Sequence, residues 1–143
     1  MSASGLAEIL NRRIWWAELQ ESWARRSVCA LTEALAQEDC LGLLGPFGAP
    51  RSEYEPEAVL LLAEVFGARE VWDSRRGELD GRAAREFLRR PRSGGRAPIT
   101  PTAVQDVFER MFGQELCREQ DFAEAATRCE GALTAMCWPT CDS

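Results

Sequence analysis

The sequence predicts an all-α protein, a compact bundle of four to six helices joined by Pro/Gly-rich loops. Three observations predict it. Apolar residues recur at helical spacing in several stretches, and no stretch alternates apolar and polar residues with a period of two. Most of the seven prolines and eleven glycines gather around the middle of the chain, which leaves both ends open to continuous helix. With 143 residues, 45% hydrophobic and 28% charged, residues 1–143 read as one domain that buries a core without disulfide or metal staples.

The first element is amphipathic. Leu6, Ile9, Leu10, Ile14, Ala17, Ala24, Val28, Leu31 and Leu35 form a stripe, with Trp16, Leu19 and Trp23 beside it and charged residues on the other faces. The pattern fits one long helix, or two broken near Ser22 with Ser22 as N-cap. Residues 1–20 are then an N-terminal helical extension. Trp15, Trp16 and Trp23 exceed what a narrow stripe buries. A wide core-facing surface accounts for them, and an exposed aromatic patch is the alternative. From Cys40 to Pro50 the glycines and prolines impose a turn-rich loop anchored by Leu41, Leu43, Leu44 and Phe47.

The next helix opens at Ser52–Glu57, with Pro56 in its first turn and carboxylates at its positive end. The apolar run Ala58–Phe66 makes it a buried helix that stops at Gly67. A buried strand over Val59–Val65 competes, but Leu, Ala and the caps favour helix. Glu78 to Arg90 predicts a short helix capped by Asp80, with Ala83, Ala84, Phe87 and Leu88 inward. Pro91–Pro98 is a loop. Thr100-Pro101 starts another helix, in which Val104, Val107, Phe108, Met111 and Phe112 share a face and Gly113 is the stop. A last helix is expected from Glu115 or Arg118 to Met136, with Phe122, Ala125, Ala126, Cys129 and Leu133 inward. Leu31, Leu35, Val59, Leu62, Phe66, Val107, Phe108 and Phe112 should meet in one core.

Composition excludes much chemistry. There is no histidine, so no Ser-His-Asp or Cys-His pair, no imidazole-ligated zinc and no ordinary neutral-pH general base is available. The reading is a non-enzyme with no catalytic residue, no metal and no cofactor. A net charge of −6 repels phosphate backbones, so nucleic acid is not the expected partner. Charge is uneven, however. Eight arginines fall between Arg75 and Arg96, within an Arg-rich insertion and loop over 73–98. This run is read first as a solvated face and second as a docking surface. Six cysteines without a leader-like N-terminus suggest reduced core thiols in the cytoplasm. Cys129, Cys137 and Cys141 match no strong redox or metal spacing. No apolar run approaches a membrane span, so no membrane partner is expected.

Three blocks carry a resemblance: Asp39-Cys-Leu-Gly-Leu43, Glu53-Tyr-Glu-Pro-Glu57 and the bulky apolar helix Val104–Gly113 ending in Phe-Gly. In this order and spacing the middle of the chain, 23–113, resembles the small bacterial family called "domain of unknown function 1871". There the first block tends to read Asp-Pro-Leu-Gly-Leu and the second is an acidic, tyrosine-containing helix opening. Cys40 departs from the family's proline, residues 68–97 are longer than its connection, and the first twenty residues and 114–143, a C-terminal helix and Cys-containing tail, are additions. The resemblance implies an all-helical fold without enzyme activity. Some relatives look like immunity proteins that neutralise toxins.

The expected function is therefore a non-catalytic protein-binding module, of the immunity type or another small inhibitor or adaptor. Its partner is a protein, a basic toxin being one example, met through an acidic surface. The binding residues are Glu53, Tyr54, Glu55 and Glu57, an aromatic anchor with a charged rim. The competing local reading is that Tyr54 packs the loop on the helix and the carboxylates cap it. Two other functions stay open: a ribosomally made modified-peptide precursor with its Cys/Thr/Ser core in Thr134–Ser143, and a carboxylate-based enzyme using Glu53, Glu55 and Glu57.

Overall fold

A computed structural model describes residues 23–39, 54–89, 95–118 and 120–136. The helix expected upstream of 23, the side chain of Trp23, the loop expected from Cys40 to Pro50, Glu53, and the residues from Cys137 onward, Cys141 among them, lie outside the described residues. In order come α1 (Trp23–Glu38), α2 (Glu55–Val65), a 3-10 turn (Arg69–Val71), β1 (Trp72–Asp73), β2 (Glu78–Leu79), α3 (Gly81–Arg89), α4 (Pro101–Phe112), α5 (Gln114–Cys117) and α6 (Ala123–Thr134). The all-α bundle is as predicted.

α1 packs on α2 and α6, and α4 packs on α2 and α6. The stripe Ala24, Val28, Leu31 and Leu35 is buried, as are Val59, Leu62, Val107 and Phe108. Phe66 and Phe112 are partly buried against the same core. α2 is buried nearly all round, which explains its continuous apolar run. It is a helix, not a strand. It ends in a Schellman motif: Ala68 N–H donates to Ala63 O at 2.9 Å and Gly67 N–H to Glu64 O at 3.2 Å, with Gly67 at φ 74°. α4 starts as Thr100-Pro101 predicts, Thr100 Oγ1 accepting from Ala103 N at 3.1 Å.

Three details correct the sequence reading. Glu78 does not begin a helix; Glu78–Leu79 pairs antiparallel with Trp72–Asp73 in a hairpin. Strands of two residues are too short to carry a period-two signal. Asp73 closes the hairpin by accepting from Arg75 N and Arg76 N at 3.1 and 3.3 Å, with Gly77 at φ 65°. Asp80 then caps α3, accepting from Arg82 N at 3.0 Å and Ala83 N at 3.1 Å. The last helix is split. The chain turns after Cys117, buries Phe122 and restarts where Asp121 Oδ1 accepts from Ala123 N at 2.9 Å. The inward set Phe122, Ala125, Ala126, Cys129 and Leu133 is nonetheless the predicted one.

Arg96 is the third correction, because it leaves the arginine surface. Its guanidinium grips Glu130 with two hydrogen bonds of 2.9 Å. Glu130 Oε1 also accepts from Ile99 N at 2.9 Å. One carboxylate on α6 thus holds segment 95–99 against the bundle. Arg128 similarly ties α6 to Glu38 and Gln37 of α1.

Candidate functional site

The Schellman turn at Gly67 swings the chain off α2 and brings the hairpin back beside it. Between them and α4 lies a cleft of about 400 Å³, lined by Leu60, Ala63, Glu64, Ala68, Arg69, Trp72, Ser74 and Arg110. Leu60, Ala63 and Ala68 are buried and make an apolar floor. Trp72 is partly buried against the core. Arg110 Nη1 donates to Glu64 Oε1 at 3.0 Å, joining α4 to α2. Arg69 makes no ion pair among the described residues. Two guanidiniums, a hydroxyl and an indole over an apolar floor can hold an anionic group carried on an apolar body.

The predicted acidic site is arranged differently. Glu53 lies outside the described residues. Tyr54 is fully buried; its hydroxyl donates to Asp39 Oδ1 at 2.6 Å and its ring meets Phe108 edge-on at 6.0 Å. Glu57 is 2% exposed. Only Glu55 keeps partial exposure, and burial pushes its pKa up to about 7. Positions 54, 57 and 58 share the core-facing side of the first turn. Tyr54 is therefore a packing residue, not an aromatic anchor on the surface. It joins the three family-like blocks in space, since Asp39, Tyr54 and Phe108 touch in series.

Glu55 gives a pH prediction. Its folded pKa lies above the unfolded value, so the folded state binds its proton more tightly. Stability is fully present below about pH 4.5 and declines as pH rises through about 7. Glu55→Gln should therefore raise unfolding free energy above pH 7 and leave it unchanged at pH 4. A gain of about 1 kcal/mol is expected, discounted for partial exposure and for the lost helix-dipole contact. Urea unfolding at the two pH values measures it; equal stability at pH 8 would count against the assignment.

Sequence reasoning missed Arg69, Trp72, Ser74 and Arg110. Glu64 and Arg110 stand 46 positions apart, a separation no motif encodes. The arginine run was read from Arg75 onward, which excluded Arg69. Among the described residues no group of three or more His, Cys, Asp or Glu could hold a metal ion. Cys29, Cys117 and Cys129 form no disulfide among the described residues. Also among the described residues, no helix is long and apolar enough to cross a membrane.

No family model matches the chain, and no curated protein or solved structure matches it. The resemblance to the bacterial helical family rests on its three blocks alone.

Proposed function

We propose that the chain is a non-catalytic protein-binding module, an inhibitor or adaptor, that meets its partner at the cleft between α2, the hairpin and α4. One observation carries this reading: a half-buried Trp72 shares a cleft with Arg69, an arginine that forms no ion pair among the described residues. Tryptophan and arginine are the residue types that most often dominate binding energy at interfaces. The basic cleft selects an acidic partner surface. The burial of Tyr54 and Glu57 takes support from the version in which an acidic face meets a basic toxin.

The test is capture from native lysate by the immobilised full chain, followed by binding kinetics with the captured protein. Arg69→Glu should weaken binding at least tenfold, mainly by slowing association, and added salt should do the same to the unaltered chain. Arg82→Glu, on the exposed start of α3, is the control and should bind normally. A partner held equally well by Arg69→Glu, with folding verified by circular dichroism, would remove the cleft from the interface.

A further inference from the structure

The cleft holds two arginines against one glutamate, which leaves one uncancelled positive charge. Arg110 already gives one N–H to Glu64 at 3.0 Å, so the guanidinium that forms no ion pair among the described residues is that of Arg69. A single carboxylate matches this balance. A phosphate dianion or a run of phosphates would bring excess negative charge against Glu64.

Size points the same way. A volume of about 400 Å³ lies near the lower end of ligand sites, which span about 300–1,000 Å³. It accommodates one or two side chains laid across the Trp72 ring and the Leu60–Ala63–Ala68 floor. The backbone decides which kind of carboxylate enters. Terminal carboxylates are usually captured by clustered backbone N–H groups. Here five of those groups between Arg69 and Arg76 are already engaged. Arg69 N–H donates to Gly67 O at 3.0 Å and Val71 N–H to Ala68 O at 3.3 Å. Trp72 N–H donates to Arg69 O, and the N–H groups of Arg75 and Arg76 donate to Asp73 Oδ1. The Arg69 guanidinium is then the main grip, which suits a side-chain carboxylate on a chain passing through an open cleft.

We infer that the cleft takes an internal segment of an acidic partner in which an Asp or Glu stands next to an aromatic residue. The carboxylate pairs with Arg69 and the ring lies on Trp72. This rests on the protein-binding reading above and specifies the chemistry of what binds.

The experiment titrates the full ¹⁵N-labelled chain with the peptide Ac-Gly-Glu-Phe-Gly-amide, following the indole N–H of Trp72 and the Nε–H of Arg69. Both signals should shift. Changing the peptide's Glu to Gln, or making Arg69→Gln in the protein, should raise Kd at least tenfold. Changing the peptide's Phe to Ala should raise it at least threefold. Equal binding of the Glu and Gln peptides overturns the inference, as does tighter binding of inorganic phosphate, or no shift at millimolar peptide. If the peptide fails while Arg69→Glu still abolishes partner capture, the occupant is wrong and the binding reading stands. If the peptide binds while Arg69→Glu leaves capture intact, the cleft chemistry stands and the captured partner uses another face.

Discussion

Phe108→Ala should lower the unfolding free energy by about 4 kcal/mol, in the upper range for emptying an aromatic core site. Phe108 is 1% exposed. Its ring stacks on Phe122 at 5.4 Å and Phe112 at 5.9 Å and receives the edge of Tyr54 at 6.0 Å. It is therefore the shared contact of α2, α4 and the start of α6, and a void there cannot be closed by one side chain turning. Urea unfolding should give a lower midpoint with an unchanged slope, the mark of lost stability without a change in exposed surface. Phe108→Leu fills most of the volume and should cost about 1–2 kcal/mol. It keeps the comparison measurable if the alanine variant does not fold. A loss below 1 kcal/mol for alanine would mean that this aromatic cluster is not the centre of the core.

Glu130→Ala should cost about 1–2 kcal/mol, the scale of removing charge-assisted hydrogen bonds from a carboxylate whose side chain is 37% exposed. The carboxylate takes two hydrogen bonds from Arg96 and one from Ile99 N–H. Without it the Arg96 side chain, 13% exposed, keeps only Ala97 O and Thr134 Oγ1 as acceptors, and the Ile99 N–H beside the core loses its acceptor. The Arg96 hydrogen bonds above all, with help from Ile99 N–H and Thr134, hold the Glu130 pKa down to about 2 against the opposing effect of burial. A depressed folded pKa means the contribution is fully present above the unfolded value near 4.5. It is lost as pH falls from there toward 2. The gap between the natural chain and Glu130→Ala should therefore be widest at neutral pH and shrink below about pH 4. A gap constant between pH 7 and pH 2.5 would refute the assigned role. Glu130→Gln, which keeps one acceptor without charge, should fall between the two.

The helices were legible because each carries its own local signal. Thr100-Pro101, Asp80 and Gly67 mark helix ends by backbone chemistry that acts within four residues. The inward faces of α1, α4 and α6 follow from 3.6-residue spacing. The hairpin was not legible, since Trp72–Asp73 and Glu78–Leu79 are held by a turn around Asp73 and by Asp80 N–H donating to Val71 O at 2.8 Å. The acidic segment was legible as a helix start, but the direction in which Tyr54 and Glu57 face was not. Composition alone cannot tell a tyrosine that anchors a partner from one that anchors a loop.

The sequence by itself determined the all-α class, the helix caps, the core faces and the absence of histidine chemistry, because these depend on residue identity and on neighbours along the chain. Only the tertiary structure decided which way Tyr54 and Glu57 face, that Arg96 serves Glu130, and that Arg69, Trp72 and Arg110 share a cleft. Those outcomes depend on pairings between residues far apart in sequence: 15 positions for Tyr54 and Asp39, 34 for Arg96 and Glu130, 46 for Arg110 and Glu64. A charged or aromatic side chain takes whichever partner best offsets its desolvation once the helices have packed, and no local pattern records that choice.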